Sequence, residues 1–323
     1  NSDVLRSMEN PRPAYWVALI VCIAMVACAV IAETYQYQTG MGPSNLNNPH
    51  MWDMYIASFV FWIGMSHSGT LLSAILHIIH ADWRKPIYRF AEAMTTFSLM
   101  TAGLFPIIHL GRVWNLYWVL PYVSDRGIWP NFRSPLSWDA FAISTYLSAS
   151  AIFLFIGMIP DLAICRDNAR GWRRKLYTVL SLGWRGDDRQ WRNFRKTYLL
   201  LACFLIPLAV SVHSIVSADF AMSIMPGWHV TTFPPYFVAG ALYSGCAAIV
   251  ILRYFFRFEE YMTDAIMEKT AKLTFAIAMV WTYLNLVEFA SVWYGHSMAD
   301  KEVLIAKATG PYAWVFWTMI FCG

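Results

Sequence analysis

Three ionisable residues, His109, Asp139 and Asp219, stand at the ends of three different apolar stretches of this 323-residue chain. A histidine beside carboxylates at a lipid boundary is suited to taking protons from a hydrophobic two-electron carrier such as a quinol. Imidazole titrates near neutrality, and a neighbouring carboxylate orients the ring and steadies its charged form. His109 lies in FPIIHLGR, three residues from Arg112 and so on the same helical face. Pro106 frees a backbone carbonyl one turn earlier. Asp139 opens the next apolar run in SPLSWDAF, where the spacing puts it in the first turn of a helix; PLAVSVHSIVSADF delivers His213 and Asp219 to one boundary.

Each residue also has a plainer role. Asp139 could stabilise a helix N-terminus, worth about 0.3–1 kcal/mol, and Arg112 could reach for lipid headgroups. The case for a shared site is that three separate helices bring ionisable groups to one depth, where charge is costly and usually serves a cavity or a partner. His67, inside GMSHSGT, Glu92, His213 and Glu288 are candidates for a proton path. Glu92 could equally pair with Arg89, and His77 and His80 read as structural.

Elements that position these residues follow from composition. Hydrophobic residues make up 58% of the chain, charged residues 14%, and mean hydropathy is +0.44, far from a soluble average. Apolar runs at 14–31, 55–81, 90–110, 140–160, 198–218, 237–252 and 273–294 mostly approach the roughly 20 residues that cross a bilayer as helix. The expectation is an all-α polytopic protein with seven full spans and part of an eighth at 312–323. Both chain ends are expected to be incomplete, and the first span is expected to serve as its own insertion signal. With the N-terminus cytoplasmic, nineteen of the 24 lysines and arginines fall on inside segments, ten of them in 166–196. The expected division is therefore a first transmembrane four-helix bundle over 1–165, a basic cytoplasmic linker over 166–196 and a second, incomplete bundle over 197–323. The net charge of +4 then reads as topology signal beside anionic lipid, with no nucleic-acid partner. Aromatics, 17% of the chain, read mainly as interfacial belts.

Six scattered cysteines form no CxxC pair and no CxxCH, so no metal, haem or iron–sulfur cluster is expected on this chain. Redox chemistry would then need partner subunits. Two rival classes remain open: a b-type cytochrome, which needs facing histidines on two helices, and a proton- or ion-coupled transporter. A weak internal echo relates Pro106, His109 and Pro135 to Pro207, His213, Pro234 and Pro235, with Tyr236 near where a second Asp139 would fall.

The stretches GMSHSGTLLSA, AEAMTTF, FPIIHLGRVW, SPLSWDAFAISTY, HSIVSADFAMSIMPGWHVTTFPPYFVAGALYSG and VEFASVWYG together resemble the NrfD-like, polysulfide-reductase-type membrane subunits. More narrowly, they look like the quinol-oxidising NrfD-like subunit of bacterial alternative complex III. The resemblance implies a fold of two four-helix bundles and a protein that oxidises quinol, usually menaquinol, near the periplasmic face of the bacterial inner membrane. It places His109 and Asp139 in the quinol site and, less directly, Asp219. Implied partners are an iron–sulfur subunit, multihaem cytochrome c subunits and a second NrfD-like membrane subunit. Members of that family normally extend beyond position 323.

Overall fold

A computed structural model of the chain describes residues 13–44, 54–109, 111, 113–120, 135–223, 226–256, 259 and 261–322. The described residues form ten α-helices: α1 Pro13–Thr39, α2 Met54–Ile78, α3 Arg84–His109, α4 Pro135–Asn168, α5 Gly171–Leu180, α6 Asp188–Ala221, α7 Phe233–Phe256, α8 Asp264–Tyr294, α9 Met298–Thr309 and α10 Ala313–Cys322. Seven of them, α1 to α4 and α6 to α8, are long and apolar enough to cross a membrane, and α10 is a shorter apolar helix. The chain is thus an all-helical polytopic membrane protein. Most helices outrun the apolar windows of the sequence, because charged ends such as 188–197 continue the helix into the interface without joining the hydrophobic run.

Two compact units divide the chain. The first comprises Asn1–Phe59 with Leu104–Leu116. Here α1 has one buried residue, Gln36, whose amide donates to the carbonyl of Ile108 at 3.4 Å and whose side-chain oxygen accepts from the Tyr55 hydroxyl at 2.7 Å. Tyr37 donates to the Ile107 carbonyl at 3.5 Å. The C-terminal turn of α3, where helical carbonyls lose their own partners, is thereby tied to α1.

The second unit comprises Val60–Gly103 with Tyr117–Gly323 and is built around α2. Thirteen residues of α2 are buried, many of them small or hydroxylated: Gly64, Ser66, Ser68, Gly69, Thr70, Ser73 and Ala74. Small residues let backbones approach closely where no hydrophobic force separates protein from lipid. A methyl group at Gly69 would strike the Ala91 carbonyl and Thr95 of α3, and one at Gly245 of α7 would strike Ser68. Leu72, Leu76, Ile87, Ala91, Cys246 and Ile249 seal one side of α2, while Ala74 joins Phe153, Tyr198, Ala202 and Leu205 on another. The basic stretch 166–196 separates spans in sequence, yet α4 and α6 on its two sides pack directly, as do α6 with α7 and α7 with α8.

The α6–α7 connection is pinned by α9. Asp300 accepts from the Gly227 amide at 2.7 Å and lies 3.4 Å from the His229 ring. Gly227 has φ +79°, and a Cβ there would meet Val303 at 2.7 Å, so only glycine fits. The Ser297 hydroxyl, the Gly227 amide and His229 hold the Asp300 carboxyl below its usual range.

Gly69→Ala and Gly245→Ala are expected to destabilise the protein by about 1–3 kcal/mol each through overpacking, read as a lower midpoint of thermal aggregation in detergent. The Asp300 clasp, being a depressed carboxylate, contributes above the unfolded carboxylate value and is lost on acidification below about pH 4. Faster amide exchange at Gly227 below that pH, reproduced at pH 7 by Asp300→Ala, is the check.

Candidate functional site

In the second unit the structure brings Asp139 and Asp219 together. Their side chains meet across α4 and α6. Two carboxylates so close repel each other unless a proton is shared between them. On each residue Oδ1 is buried and, among the described residues, meets no hydrogen-bonding group. Buried polar atoms normally find partners. A shared proton, a water or a ligand hydroxyl would supply that partner.

Local sequence explains the pairing. Helix α4 starts at Pro135, a residue suited to a first turn, so Asp139 lies beyond that turn and not in it as the sequence suggested. A helix dipole acts mainly within the first turn, which removes the plainer explanation of Asp139 as a terminus stabiliser. Asp219 comes two residues before the end of α6 at Ala221. Helices α4 and α6 run antiparallel, which puts an early residue of one beside a late residue of the other.

His109 belongs to the first unit, where it closes α3 beside the carbonyls of Ile107 and Ile108 that Tyr37 and Gln36 engage. Arg112 lies outside the described residues. His213 is not at the boundary where the sequence reading put it. It is 2% exposed, six residues inward of Asp219, with Nε2 bonded to the Phe237 carbonyl at 2.9 Å.

From His213 a buried polar chain continues. Its ring centroid lies 4.8 Å from that of His67, which stacks on Tyr146 at 4.0 Å. His67 is fully buried; Nδ1 engages its own helix at the Ile63 carbonyl, 2.7 Å away, and Nε2 has no hydrogen-bond partner among the described residues. The Tyr146 hydroxyl reaches Thr70 at 2.8 Å and Ser66 at 3.2 Å, and Thr70 reaches Thr95 at 3.3 Å. One turn along α3, Glu92 accepts from the Tyr198 hydroxyl and from Arg89 at 3.2 Å. Arg89 also pairs with Asp161. Glu92 therefore makes the Arg89 pairing that its spacing allowed, and a contact with Tyr198 besides. Here a cavity of about 190 Å³ opens among His77, Arg84, Arg89, Asp161, Arg195 and Tyr198.

Asp139 and Asp161 are 22 residues apart on α4, about 33 Å of rise, close to the roughly 30 Å of a hydrocarbon core. Tyr146 follows Asp139 by two turns on the same face. Tyr146, Tyr198 and Asp161 escape a reading of the sequence, because tyrosines at span ends look like interfacial belts and Asp161 like a boundary charge. The period of Asp139, Tyr146 and Ser150 along α4 is the one available signal.

Glu288 lies 3.5 Å from Lys307 of α9 and is placed near neither histidine by any contact. Tyr236, the counterpart of Asp139 in the internal echo, stacks on Trp281. Among the described residues, His67 and His213 face each other from different helices with ring centroids 4.8 Å apart, which leaves no space for a macrocycle between them. Among the described residues, no three His, Cys, Asp or Glu side chains group to hold a metal.

Comparison with known proteins places this geometry. The chain is 27% identical over 239 residues to a Halobacterium salinarum protein described provisionally as a dimethyl sulfoxide reductase membrane subunit, covering 73% of this chain and 50% of that one. It is 23% identical over 295 residues to a selenate reductase subunit of Mesobacillus selenatarsenatis, covering 89% and 68%. It is 22% identical over 323 residues to the Hdr-like menaquinol oxidoreductase integral membrane subunit of Archaeoglobus fulgidus, covering 98% and 71%. The chain thus spans half the length of the first of these relatives. Residues 42–323 match the family model of polysulphide reductase, NrfD, and with so much of its length matched the chain belongs to the NrfD family.

Proposed function

We propose that this chain is the quinol-oxidising membrane subunit of a respiratory or photosynthetic electron-transfer complex of the alternative complex III type. The observation that carries the reading is the meeting of Asp139 and Asp219 across α4 and α6, with a buried oxygen on each carboxyl that has no hydrogen-bond partner among the described residues. Such a pair can accept one further proton at a hydrophobic boundary. A relative named as a menaquinol oxidoreductase integral membrane subunit supports menaquinol as the substrate.

Quinol oxidation releases two electrons and two protons and leaves the quinone. In this reading one hydroxyl gives its proton to His109 and the other to the carboxyl pair, with Arg112 as a donor to the quinone oxygen. Asp139 faces the substrate, and Asp219 passes the proton on towards water. The electrons leave for an iron–sulfur subunit and then for multihaem cytochrome c subunits, and a second NrfD-like protein shares the membrane. The site lies near the periplasmic face of a bacterial inner membrane, with the N-terminus cytoplasmic.

The chain from His213 through His67, Tyr146, Thr70 and Thr95 to Glu92 and Tyr198 is the proposed proton path, opening at the Arg89–Asp161 cavity. Its support is a set of short contacts among buried polar side chains, His213 with His67, Tyr146 with Thr70, Thr70 with Thr95 and Tyr198 with Glu92. Glu288, held at Lys307, is the weakest member of the path.

His109→Ala and Asp139→Asn are each expected to cut quinol oxidation by the assembled complex by about 100-fold or more, the usual weight of a positioned acid–base group, and Asp219→Asn by less. Both of the first two variants turning over normally would sink the assignment. Glu92→Gln and Tyr198→Phe are expected to lower the number of protons moved per electron in reconstituted vesicles more than they lower turnover. An unaltered ratio in both would remove the path.

A further inference from the structure

Beside the polar chain runs an apolar groove of about 160 Å³ between α3 and α4, lined by Thr95, Thr96, Leu99, Leu147, Leu154 and Met158 among others. We propose that this groove seats the isoprenoid tail of the quinol, an inference that rests on the quinol reading of the Asp139 site.

Depth is the first argument. Leu147 and Met158 follow Asp139 by eight and nineteen residues on one helix, so the groove occupies about 12 to 28 Å of rise beyond the carboxyl pair. A quinol whose head is held at the boundary must run its tail inward along the membrane normal, and the groove lies at that depth on the helix that carries Asp139.

Face is the second. Ser150, a lining residue, follows Asp139 by eleven residues, three turns, and returns to the face of the carboxylate, while Leu147, Leu154 and Met158 lie about a quarter turn round the helix, so the groove runs beside that face. The groove then opens towards lipid, for its neighbours Phe97, Met100 and Ile152 are 69%, 65% and 51% exposed. A tail can enter sideways from the bilayer without threading a closed channel.

Chemistry is the third. The hydroxyls of Thr95 and Thr96 are turned onto their own helix, donating to the carbonyls of Ala91 and Glu92 at 3.0 and 2.9 Å. What faces the groove from these residues is methyl and methylene. A headgroup, sugar or peptide would lose its hydrogen bonds here, a heavy cost in an apolar setting. A branched hydrocarbon loses none and fits a wall of Leu, Met and Thr methyls.

The test compares two substrates on the assembled complex: menadiol, which has no tail, and a menaquinol with at least four isoprene units. Ala151, another lining residue, is exposed, so Ala151→Phe fills the groove without disturbing the core. The variant is expected to raise KM for the long-tailed quinol about tenfold, equal to about 1.4 kcal/mol, and to leave kcat/KM for menadiol unchanged. In addition, a menaquinone analogue carrying a photoreactive group on its third isoprene should label the 147–158 segment of wild type, and excess phosphatidylcholine should not displace it. An equal loss with both quinols, no change with either, or displacement of the label by phospholipid acyl chains overturns the groove assignment and leaves the head site standing. Wild type that oxidises neither quinol overturns the quinol reading itself.

Discussion

Hydrocarbon cannot hydrogen-bond, so every polar group carried into the membrane must find its partner inside the protein or in a ligand, and most of this structure follows from that demand. Helix α2 brings two serines, a threonine and a histidine within five residues, 66–70, into the span. None of them can face lipid cheaply. The helix is consequently surrounded, and its neighbours α3, α4, α6 and α7 supply a tyrosine hydroxyl, a threonine and close-packed small residues to meet it. The glycines at 69 and 245 serve the same end, because hydroxyl groups reach a neighbouring helix only if the backbones come close.

One consequence is that burial and function are hard to separate in the second unit. Ser66, Thr70 and Thr95 stabilise helix contacts through hydrogen bonds that lie beside the buried ring of His67. Several of the places where the demand for partners goes unmet, Oδ1 of Asp139 and Asp219 and Nε2 of His67 among them, lie in this same unit. Natural structures break local rules mainly at functional sites. The grouping of these exceptions therefore carries more weight than any single short distance.

The apolar groove obeys the same constraint from the opposite side. Its threonines satisfy themselves against their own backbone and so present hydrocarbon outwards. Polar residues at adjacent positions of α3 thus build two different surfaces: Thr95 shares in the buried network through its hydroxyl and in the groove through its methyl group. A single helix can in this way hold a hydrogen-bonded polar face and a lipid-like face side by side.

The sequence by itself determined the class, the seven spans and the ionisable residues worth attention, because hydropathy and charge act along the chain and need no partner to be read. Asp139 and Asp219 were visible as boundary carboxylates, and Glu92 as a candidate pair for Arg89. Only the tertiary structure decided that the two aspartates meet, that His213 packs against His67, and that Tyr146 and Tyr198 join buried polar contacts. The family motifs directed attention to His109, whereas Gln36 and Tyr55, which tie down the end of its helix, carried no sequence signal of their own. The physical reason is that helix period fixes which face a residue occupies, but not which neighbour that face meets. Among several antiparallel spans of similar hydrophobicity, the choice of neighbour is made by close packing of small residues and by the search of each buried polar atom for a partner.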